Sequence, residues 1–300
     1  MNWRLVTLLG AVLMVAAWTV AEETKPGEAP RPYVQKQDVI YGEIHGTGLL
    51  MDVFTPTGKS NGLGIVDVAS GAWHSDRGKI RDHERAQMYD IYCGKGYTVF
   101  AIRPGSRPKY SGLEMLANVK IGIRYVKAHA AEFGISLDRL GLTGASAGAH
   151  LASLAAVTAE PGDPNAKDPL RKLDTSVKAV GVFFPPTNFL DWNGAAAPGD
   201  RAQDLFFGDR ATHTPEETAA RAKELSPALL VKAPTPPFLV IHGDADTTVP
   251  LQQSKILVDA IKAAGGSAEL IVKAGGGHAW LTISEEVKTM SDWFDKKLTE

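Results

Sequence analysis

The sequence predicts an α/β protein with a mostly parallel central sheet, an antiparallel first hairpin and helices on both faces of the sheet. Short apolar segments alternate along the chain with amphipathic helical segments, a pattern typical of parallel strands connected by crossover helices. Two alternating segments open the pattern and are joined by a short turn with glycine, which predicts the hairpin. A polar stretch between Asn188 and Lys232 interrupts the pattern, and we expect a small insertion there, after the sixth strand.

The N-terminal half of this pattern contains the hairpin, three further strands and two helices. The hairpin segments are DVIYGEI and LLMDVFTP, and Pro56 ends the second because proline has no N–H to donate to a sheet. Gly94 ends the first helix, and apolar residues recur every three or four positions in the second. The predicted strands are 38–44, 49–56, 64–70, 97–106 and 139–144, and the predicted helices are 83–93 and 116–134.

The C-terminal half continues the same alternation. A helix starts directly after the strand that ends at Gly144, and a second helix ends at Gly265. Apolar residues at helical spacing predict a final helix at the end of the chain. The predicted strands are 177–187, 237–243 and 268–275, and the predicted helices begin at 147, 253 and 283.

The sequence pattern of the N-terminal residues predicts export. Arg4 precedes an apolar run from Leu5 to Ala21 that ends in small residues, which is the pattern of a cleaved signal peptide. An uncleaved membrane anchor is the alternative, because the run is close to the shortest length that spans a bilayer. We expect a signal peptide at 1–21, a solvated linker at 22–37, one α/β domain at 38–300, and a secreted or periplasmic protein.

Charge and cysteine content exclude some classes of partner and site. The net charge of −2 and the pI near 6.5 give no electrostatic reason to expect a nucleic acid partner. Cys93 is the only cysteine, so the chain contains neither an internal disulfide nor a cysteine cluster for a metal.

Residues 143–151, TGASAGAHL, carry the strongest chemical signal. Ser146 lies between a predicted strand and a predicted helix, with Gly144 and Gly148 two residues to either side. A nucleophile elbow needs this arrangement, since its tight turn leaves room only for small neighbours. The start of the following helix directs free N–H groups toward developing negative charge. We therefore interpret Ser146 as a nucleophile.

An acid and a base are expected after later strands, in the order Ser, acid, His. Asp244 and Asp246 both follow the strand at 237–243, and His278 follows the next strand in a glycine-rich loop. His150 lies one helical turn after Ser146, so we expect it to be a buried, hydrogen-bonded residue and not the base. His242 is expected to be structural. Four further histidines are expected in turns or on solvated helix faces: His45, His83, His129 and His213. His74 lies close to the loop after the third strand, which leaves a substrate contact open.

These motifs together resemble the α/β-hydrolase fold, and more narrowly the secreted carboxylesterases related to hormone-sensitive lipase and to bifunctional feruloyl and acetyl xylan esterases. The matching segments are LTGASAGAHLA, SPALLVKAPTPPFLVIHGDADTTVP and GGGHAW. In the family's His-Gly-x-x-Asp-x-x-Val pattern the acid is the second aspartate. The resemblance therefore implies a triad of Ser146, Asp246 and His278, with no metal or organic cofactor.

The loop after the third strand departs from the family. Relatives carry His-Gly-Gly-Gly-Trp where this chain has Ala69-Ser70-Gly71-Ala72-Trp73. By resemblance, the oxyanion donors are the N–H groups of Gly71, Ala72 and Ala147. Alanine does not easily adopt the backbone angles that glycine adopts. We expect the added side-chain atoms to narrow the acyl pocket.

The resemblance implies a serine esterase that forms an acyl-enzyme. The narrowed pocket and an insertion without a long apolar run predict short acyl groups. The expected substrates are small-molecule or polysaccharide esters, with acetyl or feruloyl groups on plant polysaccharide favoured. The alternatives are a serine peptidase of the prolyl oligopeptidase type, whose usual large extra domain is missing here, and a non-catalytic hydrolase-like binding protein. Kynurenine formamidase relatives share a similar elbow but are intracellular.

Overall fold

The computed structural model describes residues 30–194, 199–208 and 211–300. The predicted signal peptide at 1–21 and the first part of the predicted linker, 22–29, lie outside the described residues. Within the described ranges, no helix is both long enough and apolar enough to cross a membrane.

An eight-stranded sheet forms the centre of the domain. Its strands are β1 (Tyr33–Ile44), β2 (Thr47–Pro56), β3 (Gly64–Val68), β4 (Thr98–Arg103), β5 (Leu140–Ala145), β6 (Ala179–Phe183), β7 (Phe238–Gly243) and β8 (Ala268–Lys273). The spatial order is β1-β2-β4-β3-β5-β6-β7-β8. The pairs β1–β2 and β2–β4 are antiparallel, and all other pairs are parallel. The prediction of a mostly parallel sheet with an antiparallel first hairpin is confirmed.

Helices cover both faces of this sheet. The described helices are α1 (Arg77–Arg85), α2 (Met88–Gly94), α3 (Gly112–Ala128), α4 (Ala147–Val157), α5 (Gly199–Phe207), α6 (Pro215–Glu224), α7 (Pro227–Leu230), α8 (Leu251–Ala263) and α9 (Ile283–Thr299), with a short 3₁₀ turn at Pro169–Lys172. One apolar cluster joins α3, α4 and α8 to the sheet, and a second joins α1, α2 and α9 to the other face. Parallel strands must be apolar on both faces for this packing, which explains why β3 and β6 are buried at every position.

Several predicted boundaries differ from the structure, and two of the differences have a clear physical reason. The sheet begins at Tyr33, so residues 33–37 of the predicted linker belong to β1. Their polar side chains are compatible with an edge strand, and the buried Tyr33 ring packs edge-on against Phe54, with a centroid distance of 5.1 Å. The helix expected at 83–93 is two helices. Gln87 adopts a left-handed conformation, φ 59°, between α1 and α2 and ends the first helix there.

The edge strand β1 is irregular. Its pairing with β2 shifts register twice, between Lys36 and Val39 and between Ile40 and Gly42. Asp38 lies in the first irregularity with φ 57°, and its carboxylate forms ion pairs with Arg77 and Arg103. These ion pairs fix the bulge against the body of the domain.

The polar segment after β6 is an insertion, as predicted, and it contains α5, α6 and α7. A capping box of Thr214 and Glu217 starts α6. Although the segment is polar in composition, Phe189, Leu205 and Leu225 are buried in the same cluster as α3 and α4. The insertion therefore packs onto the domain above the carboxyl ends of the parallel strands.

Candidate active site

Ser146 lies at the sharp turn between β5 and α4. Its backbone is strained, with φ 53° and ψ −118°. A Cβ at Gly144 would lie 2.6 Å from the backbone of Gly148, and one at Gly148 would lie 2.1 Å from the carbonyl oxygen of Val68. Only glycine fits at these two positions, because the turn is this tight. The structure therefore contains the nucleophile elbow that the sequence predicts.

The structure brings Ser146, His278 and Asp246 together in one hydrogen-bonded chain. The Ser146 Oγ lies 2.8 Å from His278 Nε2, and His278 Nδ1 lies 2.7 Å from Asp246 Oδ2. A carboxylate can only accept, so His278 carries its proton on Nδ1 and offers the Nε2 lone pair to the serine hydroxyl. This tautomer is the one that a general base requires.

The acid is held firmly in its ionised form. Burial alone would raise the pKa of Asp246. Hydrogen bonds from His242 and His278 and from the Val249 N–H outweigh burial and hold the pKa well below its usual range. Oδ1 accepts the N–H groups of Thr248 and Val249 at 2.8 and 2.9 Å. Asp246 therefore remains a carboxylate wherever the protein is folded near neutral pH.

Asp244, the other candidate acid, has a different role. Its Oδ1 accepts the Gly275 N–H at 2.7 Å, and the neighbouring Ala245 N–H donates to the Gly276 carbonyl oxygen at 2.9 Å. Asp244 thus connects the loop that carries the acid to the loop that carries His278. No hydrogen bond joins Asp244 to His278 within the described part of the chain.

His242 and His150 are both completely buried, and neither imidazole forms a hydrogen bond with Ser146 Oγ. His242 Nε2 donates to the Val249 carbonyl oxygen at 2.9 Å and lies 3.3 Å from Asp246 Oδ2, so it supports the acid. His150 Nδ1 accepts the indole N–H of Trp73 at 3.0 Å, and its Nε2 donates to the Leu225 carbonyl oxygen at 2.7 Å. Burial lowers the pKa of His150 to about 4, so this imidazole is neutral.

The predicted oxyanion donors need one correction. The Gly71 N–H donates to the His74 carbonyl oxygen at 3.0 Å and is not available to a substrate. This bond closes a tight turn over Gly71–His74, the oxyanion turn, in which Ala72 and Trp73 have φ of 49° and 57°. Alanine therefore does adopt the left-handed backbone that its side chain disfavours. Ala72 and Ala147, at the start of α4, remain the candidate donors.

A cavity of about 1100 Å³ opens above the triad. One part of its wall is aromatic, with Trp73, Phe189 and Trp192 in successive ring contact. Another part is formed by α1, which contributes Lys79, Asp82, His83 and Arg85. Ser70 and Ala72, the two residues expected to narrow the acyl pocket, both line this cavity. Ser70 is 2% accessible, so only a small part of its surface faces the cavity.

The sequence did not indicate the positions of two residues near the cavity, His83 and Arg107. His83, expected on a solvated face, is buried, and its Nδ1 lies 2.7 Å from Asp67 Oδ2, which also accepts the Tyr89 hydroxyl at 2.9 Å. The apolar GIVDV strand is buried at every position, so its aspartate, Asp67, is a buried acid that needs a partner. Arg107 contacts the oxyanion turn from a loop without regular spacing, and no sequence signal indicates it.

The described residues contain no group of three or more His, Cys, Asp or Glu side chains placed to hold a metal ion. The chemistry described here uses only side chains and backbone N–H groups of the protein.

Comparisons with known proteins agree with this geometry. The probable carboxylic ester hydrolase LipM of Mycobacterium tuberculosis is 30% identical over 77% of this chain, and the esterase LipC of the same organism is 28% identical over 89%. The chain spans 53% and 66% of the length of these two relatives. A solved structure of a truncated carbohydrate esterase from gut microbiota superposes with a TM-score of 0.78 and 26% identity, over 91% of this chain and 99% of that one.

The family assignment rests on the central part of the chain. Residues 51–261 match the BD-FAE family, and this range includes the elbow serine and the acid loop. The alignment with the solved esterase covers 91% of this chain. Sequence, fold and site geometry therefore agree, and the chain belongs to the BD-FAE family within the α/β-hydrolase fold.

Proposed function

We propose that the protein is a serine carboxylic ester hydrolase that works through an acyl-enzyme. The observation that carries this proposal is the hydrogen-bonded chain from Ser146 Oγ through His278 to Asp246, at 2.8 and 2.7 Å. Ser254 also contacts a histidine, His242, that lies 3.3 Å from Asp246, but Ser254 is completely buried and does not line the cavity. The ester hydrolases among its relatives support the same reaction class.

In the proposed reaction, Ser146 Oγ attacks the ester carbonyl carbon while His278 Nε2 takes the serine proton. The carbonyl oxygen becomes an oxyanion that accepts the N–H groups of Ala72 and Ala147. Collapse of this intermediate breaks the bond to the leaving alcohol, which receives the proton from His278. Water then attacks the acyl-enzyme by the same steps and releases the carboxylic acid and free Ser146. Asp246 holds the imidazole in the required tautomer and stabilises its charged form.

The proposed substrates are short acyl esters of carbohydrates, with acetyl or feruloyl groups on polysaccharide as the favoured natural class. The partly exposed Trp192 ring, which stacks on Phe189, offers a flat apolar surface against which a sugar or phenolic ring can stack. The hydroxyls of Thr247 and Thr248 and the charged side chains of α1 provide hydrogen-bonding partners for a polar alcohol. The relative of known structure that is named a carbohydrate esterase supports this substrate class.

We further propose that the protein acts outside the cytoplasm, in the periplasm or after secretion. The support is the sequence pattern of residues 1–21, with an early Arg4, an apolar run and small residues before Glu22. Polymer esters are available in that compartment. Mass spectrometry of the exported protein would test this proposal, since cleavage after Ala21 would give a mature chain that starts at Glu22.

A substrate panel tests the proposed activity. The described domain and its Ser146→Ala variant would be assayed on p-nitrophenyl acetate, acetylated xylan, methyl ferulate and dipeptide amides. We expect ester hydrolysis that falls by roughly 10⁴-fold or more in the variant. A serine-directed phosphonate should label the wild type once and the variant not at all. Amide cleavage without ester cleavage would indicate a peptidase, and no turnover at all would indicate a binding protein.

A further inference from the structure

Hydrogen bonds from two other parts of the chain hold the oxyanion turn, although its residues disfavour a left-handed backbone. Ala72 and Trp73 both have positive φ, which non-glycine residues rarely adopt in succession. The paired backbone bonds between Gly71 and His74, 3.0 and 2.9 Å, close a two-residue hairpin turn, whose type I′ form requires positive φ at both central residues. Glycine and asparagine are the residues that favour this form, so with alanine and tryptophan in these positions we expect contacts from outside the turn to contribute to its stability.

Arg107 binds both carbonyl groups of the strained residues. Its backbone N–H donates to the Trp73 carbonyl oxygen at 3.0 Å, and its side-chain Nε donates to the Ala72 carbonyl oxygen at 3.0 Å. The same guanidinium is paired with Asp204 of α5 at 3.4 Å. Arg107 thus fixes the orientation of the peptide groups on the C-terminal side of Ala72 and connects them to the insertion.

His150 forms a hydrogen bond with the Trp73 side chain of the turn. An indole N–H can only donate, so the 3.0 Å contact with Trp73 makes His150 Nδ1 an acceptor and leaves the proton on Nε2. That proton goes to the Leu225 carbonyl oxygen at 2.7 Å, at the C-terminal end of α6 in the insertion. His150 is inaccessible to solvent, and its neutral form keeps both bonds. Phe189 packs edge-on against the imidazole, with a centroid distance of 5.2 Å.

After these bonds are formed, the N–H of Ala72 has no intramolecular acceptor among the described residues. It belongs to a turn that lines the same cavity as Ser146. Ser70, directly before the turn, accepts the Gly148 N–H at 3.0 Å, so the turn is also fixed against the elbow. The bonds therefore leave free the N–H that an oxyanion hole requires.

We propose that His150 and Arg107 are positioning residues that hold the Ala72–Trp73 turn in its left-handed form and connect it to the insertion. This inference rests on the proposed esterase function. An oxyanion donor interacts more strongly with the transition state than with the substrate, so its displacement lowers kcat and leaves KM nearly unchanged. A merely structural role would lower thermal stability without this effect on kcat.

The test compares three variants with a matched control. His150→Leu removes both bonds of the imidazole, Arg107→Met removes the side-chain bonds, and His150→Gln restores an amide acceptor and donor. Leu154→Ala is the control, because Leu154 is buried in the same helix and does not contact the turn. We expect kcat for p-nitrophenyl acetate to fall by roughly 10- to 100-fold in His150→Leu and in Arg107→Met, as for a displaced catalytic group. His150→Gln should recover part of the loss, and Leu154→Ala should lower the Tm with little change in kcat.

A second-site change separates positioning from general damage. Adding Ala72→Gly to His150→Leu should raise kcat again, because glycine adopts positive φ without help from the clamping bonds. Phosphonate labelling would give the fraction of molecules with a reactive Ser146 in every variant. The value of kcat can then be corrected for molecules that did not fold. The inference is overturned if kcat per labelled site matches the Leu154→Ala control, if KM rises while kcat is unchanged, or if Ala72→Gly recovers nothing. Failure of the wild type to hydrolyse esters or to label would instead overturn the proposed function.

Discussion

Replacement of Asp246 by asparagine tests how the acid controls its histidine. The carboxylate accepts two backbone N–H groups on Oδ1, from Thr248 and Val249, and faces the His278 imidazole with Oδ2. Asparagine has one acceptor oxygen. If that oxygen faces the backbone, the amide NH₂ faces His278 Nδ1, which must then lose its proton. The proton moves to Nε2, and the imidazole can no longer accept the proton of Ser146.

The opposite orientation of the asparagine is also unfavourable. It keeps an acceptor for His278 but places an NH₂ group against two backbone N–H groups. Each bond lost in this buried position costs about 1 kcal/mol or more. We therefore expect the first orientation and a loss of about 10⁴ in kcat, as in other triads. This factor corresponds to about 5 kcal/mol of transition-state stabilisation.

The assay is kcat for p-nitrophenyl acetate at neutral pH, with circular dichroism to show that the variant is folded. Asp244→Asn is the matched control. Its carboxylate accepts only the Gly275 N–H on Oδ1, and asparagine retains an oxygen there, so kcat should stay within the same order of magnitude. A folded Asp246→Asn protein with near-normal kcat would refute this reasoning. A larger loss in Asp244→Asn would identify Asp244 as the acid.

Three further predictions concern the base, acid stability and substrate length. His278→Ala should fold normally but be nearly inactive, whereas His150→Gln should remain measurably active. Normal turnover in folded His278→Ala would contradict the assignment of His278 as the base. The stability contribution of His150 should fall by roughly 3 kcal/mol as pH falls from 6.5 to about 4, because burial lowers the pKa of His150 from 6.5 to about 4 and the unfolded chain binds that proton first. Urea unfolding across this range should show a smaller loss in His150→Gln, and an equal loss would exclude His150 as the cause. Finally, kcat/KM for p-nitrophenyl esters should be highest for acetate to butyrate; a steady rise through octanoate to palmitate would show an apolar tunnel.

The fold could be predicted from the sequence because its signals are local. Apolar runs such as GIVDV and AVGVF are short, buried on both faces and separated by helices of ordinary length. The boundaries that differed depend on tertiary contacts. Gln35, Lys36 and Gln37 are polar, and the place of residues 33–37 in the sheet is decided by pairing with β2 and by the buried ring of Tyr33. The break at Gln87 has no glycine or proline to mark it.

The candidate triad could also be predicted from the sequence, because elbow geometry requires glycine at 144 and 148 and fixes the order of the partners. The choice between Asp244 and Asp246 needed the family pattern, since both aspartates follow the same strand. The oxyanion turn could not be predicted in this way. Alanine generally prefers negative φ, which argued against a left-handed backbone at Ala72. The hydrogen bonds that stabilise this backbone come from Arg107 and His150, which are distant from the turn in sequence.

The bulges of β1 have a consequence for solubility. A long, regular strand at the edge of a sheet offers free N–H and C=O groups to any other extended chain, and Val34 and Ile40 add exposed apolar side chains, 64% and 62% accessible. The two register shifts interrupt that row of groups and increase the local twist, so an incoming strand meets only short stretches of regular edge. Asp38 also places a charge within the strand, where its ion pairs with Arg77 and Arg103 would have to be disturbed before a new strand could pair. The irregular edge thus opposes strand-to-strand aggregation while its inward side still contributes to the core.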